Sequence, residues 1–461
     1  MSSHVLTRWE PEDPVFWQKE GHAVARRNLW ISIPALTLAF AIWQVWSVVV
    51  VNLPNIGFKY TPNQLFWLAA APALSGATLR IFYSFMVPIF GGRLWTTLTT
   101  ASLLVPAIGL GMAVQDPQTS YASMMLLALL CGFGGGNFSS SMANISFFFP
   151  KAEKGAALGM NAGLGNLGVS IVQFVVPLII TMGVFGALGG EPQTWTKGAQ
   201  VKHLWLQNAG YIWVPFIILS TLAAWFGMND IASAKASFAD QAVIFKRKHN
   251  WLMCWLYLGT FGSFIGFAAG FPLLIKSQFT GINPTQYAFL GALIGGLTRP
   301  FGGWLADKIG GARVTQFVFL GMIVGVFGVI AFLPHAGQGG NFWGFFVCFL
   351  ALFALTGIGN GSTFMQVPTI FLTLHQRMAA GKGEAAQHKA MGEANKEAAA
   401  VLGFSAALAA YGGFFIPKSY GTSLEMTGSV DAALYAFIAF YATCALVNWW
   451  FYARKGAEVP C

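Results

Sequence analysis

The stretch Leu29-Trp-Ile-Ser-Ile-Pro-Ala-Leu-Thr-Leu-Ala-Phe-Ala-Ile-Trp-Gln-Val-Trp-Ser-Val-Val-Val-Val51 contains no charged residue. A hydrocarbon core of about 30 Å takes roughly 20 helical residues to cross, so this run is long enough to span a bilayer by itself. The same ruler finds twelve spans, at 29–51, 64–88, 95–115, 122–149, 156–189, 208–228, 251–275, 284–304, 314–334, 342–373, 399–420 and 431–453. The longer runs allow tilt or a helix that continues past the membrane. Composition agrees. The 461 residues are 56% hydrophobic and only 9% charged, whereas a soluble chain needs about 25% to cover its surface. Aromatics make up 15%, with 42 Phe and 17 Trp, which suits helices that face acyl chains and are anchored at their ends by amphipathic rings.

The formal charge of +10 has no soluble basic domain to sit on, so it does not indicate nucleic acid; it belongs to the loops. Residues 1–28 are polar and lack a short apolar region followed by a cleavage site, so no signal peptide is read there. With the N-terminus inside, nineteen Lys and Arg fall in cytoplasmic segments and five (Lys59, Lys197, Lys202, Lys276 and Lys418) on the opposite side. That bias predicts that both termini are cytoplasmic. Cys131, Cys254, Cys348 and Cys444 sit in apolar runs as small core hydrophobes, and no spacing marks a metal site or disulfide framework.

The halves resemble each other. An offset of 219 places Gly76 on Gly295, Arg80 on Arg299, and Gly91-Gly92 on Gly310-Gly311. An offset of 225 lays Gly132-Phe-Gly134-Gly-Gly136 on Gly357-Ile-Gly359-Asn-Gly361, and one of 240 aligns Gly163 with Gly403 and Pro177 with Pro417. The expectation is an all-α membrane protein with two pseudo-symmetric six-helix halves, 29–228 and 251–453. A cytoplasmic N-terminal segment (1–28), a polar linker (229–250) and a tail (454–461) complete it. Parallel halves with substrate held near the midplane are a recognised transporter plan.

Of the 26 basic residues, Arg80 and Arg299 remain unassigned to either side and lie well inside predicted spans, whereas Lys418 sits at the end of one. Burying Arg at a helix centre costs about 2.5–3.5 kcal/mol on insertion scales. Each could snorkel or pair with an acid, but both lie deep in their spans and no Asp or Glu occupies the middle of one; Asp307 and Glu397 lie at ends. The remaining counter-charge is an anionic substrate, to which a planar guanidinium offers paired donors. The glycines at 159–168, including Gly163, Gly165 and Gly168, and at Gly403, Gly412 and Gly413 place small residues on helix surfaces. Such surfaces suit either helices that rock across one another or ordinary tight packing. Asn166, among them, could donate to an anion or bond across helices.

Gly303-Trp-Leu-Ala-Asp307-Lys308-Ile-Gly310-Gly-Ala-Arg313 resembles the loop motif of the major facilitator superfamily. In the first half Phe90-Gly91-Gly92-Arg93 keeps the glycines, but Pro88 replaces the acid. Nearly the whole chain further resembles the NarK-type nitrate/nitrite porters. The stretches that carry this are Arg26-Arg27-Asn28-Leu29-Trp30-Ile31-Ser32, Tyr83 to Arg93, Ser141 to Lys151, Tyr257 to Phe267 and Gly412 to Lys418. The glycine-rich stretches of the fifth and eleventh helices look like that family's nitrate signatures. The resemblance implies that Arg80 and Arg299 bind the anion from opposite halves, Phe138 and Phe261 sandwich it, and Asn166 and Tyr257 contact its oxygens. Without the resemblance, Phe138 and Phe261 read as plain packing. It also implies nitrate and nitrite as substrates, a bacterial inner membrane, a monomeric working unit and no cofactor.

All seven histidines fall outside the predicted spans. Proton-coupled porters usually place a titratable group in the pathway, so nitrate uptake in exchange for nitrite is favoured over nitrate/proton symport. Loading an anion between two positive charges makes closure of a low-dielectric cavity easier. An exchanger of organic phosphates ranks lower, because larger polyanions call for more Lys or His in the cavity. No nucleotide-binding loop, metal cluster or nucleophile dyad stands out, so no enzyme activity is expected.

Overall fold

The computed structural model describes residues 4–234, 242–334 and 339–461; Lys235 of the linker and His335 lie outside the described residues. Twelve long helices follow one another among them. They are α1 (Pro14–Ile56), α2 (Pro62–Tyr83), α3 (Gly92–Ala113), α4 (Tyr121–Phe148), α5 (Lys151–Ile179) and α6 (Asn208–Gly227). Then come α7 (Lys248–Gln278), α8 (Ala288–Ile309), α9 (Gly311–Phe332), α10 (Phe342–Ala379), α11 (Glu384–Thr427) and α12 (Asp431–Ala453). Eleven are long and apolar enough to cross a membrane; the other, α8, has 22 residues and carries Arg299, Asp307 and Lys308. Large apolar side chains such as Phe226, Phe317 and Val324 are exposed on them, as expected where lipid is the solvent.

Three boundaries differ by ten residues or more from the sequence reading, and one is the eleventh helix, which starts at Glu384 instead of 399 because its first turns are polar but rich in alanine and other good helix formers. The polar segment 1–28 is not all loop, because α1 starts at Pro14. Asp13 accepts from the Val15 amide at 2.9 Å, and Pro14 follows as the first helical residue, a local start signal that outweighs the polarity of what comes next. This extension rests on α4 and α5 through Trp9 Nε1, which donates to Phe147 O, and Trp17 Nε1, which donates to Glu153. The fifth helix, expected to reach 189, stops at Ile179. Asn208 Nδ2 takes up the carbonyls of Ile179 and Met182, and the chain turns into a hairpin of β1 (Gln193–Lys197) and β2 (Gln200–Leu204).

The chain divides into two compact units, Met1–Ala236 with Ala268–Phe289, and Ser237–Phe267 with Leu290–Cys461. The last part of α7 thus belongs to the first unit, where Gln173 Nε2 donates to Ala268 O at 2.8 Å. Within the first unit α2 crosses α4, and within the second α8 crosses α10, both at the aligned glycines. Ser75 Oγ ties the first crossing by donating to Leu129 O at 2.6 Å. Thr298 Oγ1 does the same to Ala354 O at 3.1 Å, and Leu129 and Ala354 correspond at the offset of 225.

The starts of α3 and α9 show a second correspondence. Gly91 and Gly310 precede them at φ 86° and 95°, a left-handed conformation that favours glycine. Pro88 leaves the first copy of the loop motif without its acid, yet the Asp230 carboxylate, just after α6, accepts from the Arg93 amide at 2.8 Å. In the second unit Cys461 O, from the segment after α12, accepts from the corresponding Ala312 amide at 3.1 Å. Burial raises the Asp230 carboxyl above its ordinary range, and Arg93 pulls it partly back. Asp230→Ala is therefore expected to lower stability by about 1 kcal/mol, the usual cost of losing a helix cap. Asp230→Asn keeps the acceptor and removes the half-buried charge, so its thermal midpoint should stay at or above the wild-type value.

Candidate functional site

In the first unit Arg80 on α2 is fully buried. Its Nε donates to Gly135 O on α4 at 3.0 Å. The guanidinium carbon lies 5.1 Å from the Trp43 ring centre and 4.8 Å from that of Phe138. Trp43 is fixed by its own bond from Nε1 to Pro72 O, 2.8 Å. A Cβ at Gly76 or at Gly135 would lie 2.6 Å from the Trp43 ring, so the glycines at the α2–α4 crossing make room for the indole beneath the arginine. Phe138 meets Phe40 edge-on at 6.0 Å. Aromatic faces around a desolvated cation stabilise it by about 2 kcal/mol, which offsets much of its cost of burial.

In the second unit Arg299 on α8 is half-buried. Its Nη2 makes a long, weak bond to the Tyr257 hydroxyl at 3.5 Å, and that hydroxyl donates to Asn360 Oδ1 at 2.7 Å. Its Nη1 is buried without a hydrogen-bond partner, and Phe364 lies 5.5 Å from its guanidinium carbon. Tyr257 and Phe261 stack at 5.4 Å with ring planes 15° apart. Tyr257 precedes, and Phe261 lies within, a π-helical turn, Leu258–Gly262, an irregularity often found at functional sites.

The two arginine environments are related and unequal. Gly135 and Asn360 correspond at the offset of 225, so the backbone oxygen that holds Arg80 directly has an asparagine in its place in the second unit. There the arginine is reached through a tyrosine, and one of its nitrogens stays open. Four contact residues were not singled out in the sequence: Trp43, Gly135, Asn360 and Phe364. Asn360 was visible as the one non-glycine polar residue in an aligned glycine run; one Trp or Phe among so many gives no signal.

Asn166 on α5 is buried, and its Oδ1 has no hydrogen-bond partner, so this oxygen makes no bond across helices in this conformation. Gly165 and Gly168 sit against α1, where a Cβ would lie 2.7 Å from Leu36 and 2.1 Å from Thr37 O. Gly412 sits against Gly262 at 2.4 Å by the same measure, and Gly413 is buried. Tight packing does not hold at Gly163 and Gly403, where a Cβ meets nothing within 4 Å. Both face open space, and they are the aligned pair.

Comparison with known proteins places the chain. Residues 34–417 match the Major Facilitator Superfamily. The nitrate/nitrite transporter NarU of Escherichia coli (strain K12) is 50% identical over 459 residues, covering 98% of this chain and 97% of that one. The probable nitrate/nitrite antiporter NarK2 of Thermus thermophilus is 44% identical over 461 residues, covering 99% and 98%. Among solved structures, a D-xylose–proton symporter superposes with a TM-score of 0.63 at 16% identity, covering 91% of this chain and 97% of that one; this likeness concerns the fold alone.

Proposed function

Given that the chain belongs to the major facilitator superfamily, in its NarK-type branch of nitrate/nitrite porters, we propose that it takes up nitrate in exchange for nitrite by alternating access, with Arg80 and Arg299 serving one oxyanion. The observation that carries this is a guanidinium at the corresponding place in each unit, set against aromatic faces. Nitrate is flat, weakly hydrated and monovalent. Aromatic walls exclude water around it at low desolvation cost, while the forked donors fix its plane. The open Nη1 of Arg299 supplies a directional contact to its oxygens, and the Tyr257 hydroxyl joins it by turning its proton from Asn360 Oδ1 to the anion. The unpartnered Oδ1 of Asn166 leaves that amide able to turn and offer its N–H groups instead.

Exchange fits the distribution of titratable groups. His249 and His375 lie at the linker-side ends of their helices, engaged with Glu458 and Glu397, and neither is beside an arginine of the proposed site. Two permanent cations make an empty carrier hard to close, and an anion on either side relieves that cost. Proteoliposomes with nitrite, buffer alone or a proton gradient inside test the reading. Labelled nitrate is expected to enter the nitrite-loaded vesicles and to stay out of the others. Uptake driven by the proton gradient without internal nitrite would establish nitrate/proton symport instead. The Lys and Arg bias supports a reading with both termini cytoplasmic, and the bacterial relatives support an inner membrane as its location.

A further inference from the structure

Three lysines gather at one end of the first unit. The hairpin β1–β2, Asn55 in the last turn of α1, and the last turn of α7 share the end opposite the linker. Lys276, in that last turn, is half-buried. Its ammonium donates to Val51 O and, at 2.8 Å, to Asn55 Oδ1. Asn55 Nδ2 in turn donates to Thr196 O of the hairpin at 2.8 Å. The next residue, Lys197, reaches from the hairpin and donates from its ammonium to Thr280 O at 2.5 Å. Lys202, across the hairpin, lies 5.4 Å from the Trp195 ring centre. None of Lys197, Lys202 and Lys276 has an ion pair among the described residues, and Asp116 and Glu191 at this end have none either.

We propose that this end of the first unit is a collecting site for small monovalent oxyanions, with Lys276 as its half-buried member and Lys197 as its exposed one. The proposal rests on the anion-exchange reading and adds where the anion is first drawn in. An ammonium has three donors, and Lys276 spends two on oxygen atoms that carry no charge. Its positive charge is thus fixed in place and uncompensated. A half-buried fixed charge is screened less than an exposed one, and cationic surfaces of this kind raise the encounter rate of anions. A lysine that only capped the end of α1 would serve stability and leave the salt dependence of uptake unchanged.

The test is initial uptake of labelled nitrate by the full chain in right-side-out vesicles preloaded with nitrite, at about 0.01 M and above about 0.1 M ionic strength, where the screening length falls from about 30 Å to about 10 Å. Lys276→Gln and Lys197→Gln are expected to raise the KM for external nitrate, by about threefold to tenfold when combined at low salt. The maximal rate should hold, the difference should shrink at high salt, and Lys276→Arg should restore the KM. The KM for anion leaving from the other side should not change. An unchanged external KM in the double variant overturns the proposal, as does an equal, salt-independent rise on both sides. If Lys276→Gln fails to fold, the exposed Lys197→Gln alone decides, through a smaller rise with the same salt dependence. Absence of any nitrate uptake by the wild-type chain would strike the exchange reading itself.

Discussion

Arg80→Lys and Arg299→Lys are each expected to reduce nitrate–nitrite exchange by about 10-fold to 100-fold although the charge is kept. A hydrogen bond to a charged group contributes about 1.5–3 kcal/mol, and about 1.4 kcal/mol is a factor of ten. Lysine keeps the point charge and loses the planar fork. The two variants should differ in stability. Lysine at position 80 also loses the bond from Nε to Gly135 O and the flat contact with Trp43 and Phe138, so its thermal midpoint should fall along with transport. Arg299 has weaker ties, a 3.5 Å contact to Tyr257 and the Phe364 ring 5.5 Å from its guanidinium carbon, so Arg299→Lys should fold and melt close to the wild type while transporting poorly. Counterflow in proteoliposomes together with thermal unfolding separates the two effects. Normal transport by both variants would remove the account of anion recognition given above.

How much of this was legible depends on what kind of physics wrote it. The spans were readable because lipid imposes one rule along whole helices, apolar length, and α8 through α10 fall close to where that rule puts them. The rule fails at ends, where individual bonds decide: Asp13 starts α1 early, and Asn208 stops α5. The arginines stood out because a charge in an apolar span is costly. Their surroundings did not, since Trp43 and Phe364 are single rings in a chain rich in rings. Asp230 shows the limit most clearly. The loop motif shows an acid missing at Pro88, and only the chain's return after α6 brings an acceptor to the same helix start.

The glycines aligned between the halves should separate into two classes under one substitution. Gly361→Ala places a Cβ 2.2 Å from Arg299 O and 2.6 Å from Gly303 N, and Gly357→Ala places one 2.2 Å from Gly295 O. These are backbone atoms at a helix crossing and cannot swing aside, so α8 must move off α10. Overpacking of this sort costs about 1–3 kcal/mol, and it displaces the segment that carries Arg299; stability and exchange should fall together. Gly163→Ala and Gly403→Ala meet open space. Each lies inside a helix, where alanine is favoured over glycine by about 1 kcal/mol, so each should raise the thermal midpoint. We expect both to slow exchange all the same, because a glycine surface that packs on nothing in one conformation is suited to close approach in another. A stabilised variant with unchanged turnover at either position would show that its bare surface takes no part in closing the carrier.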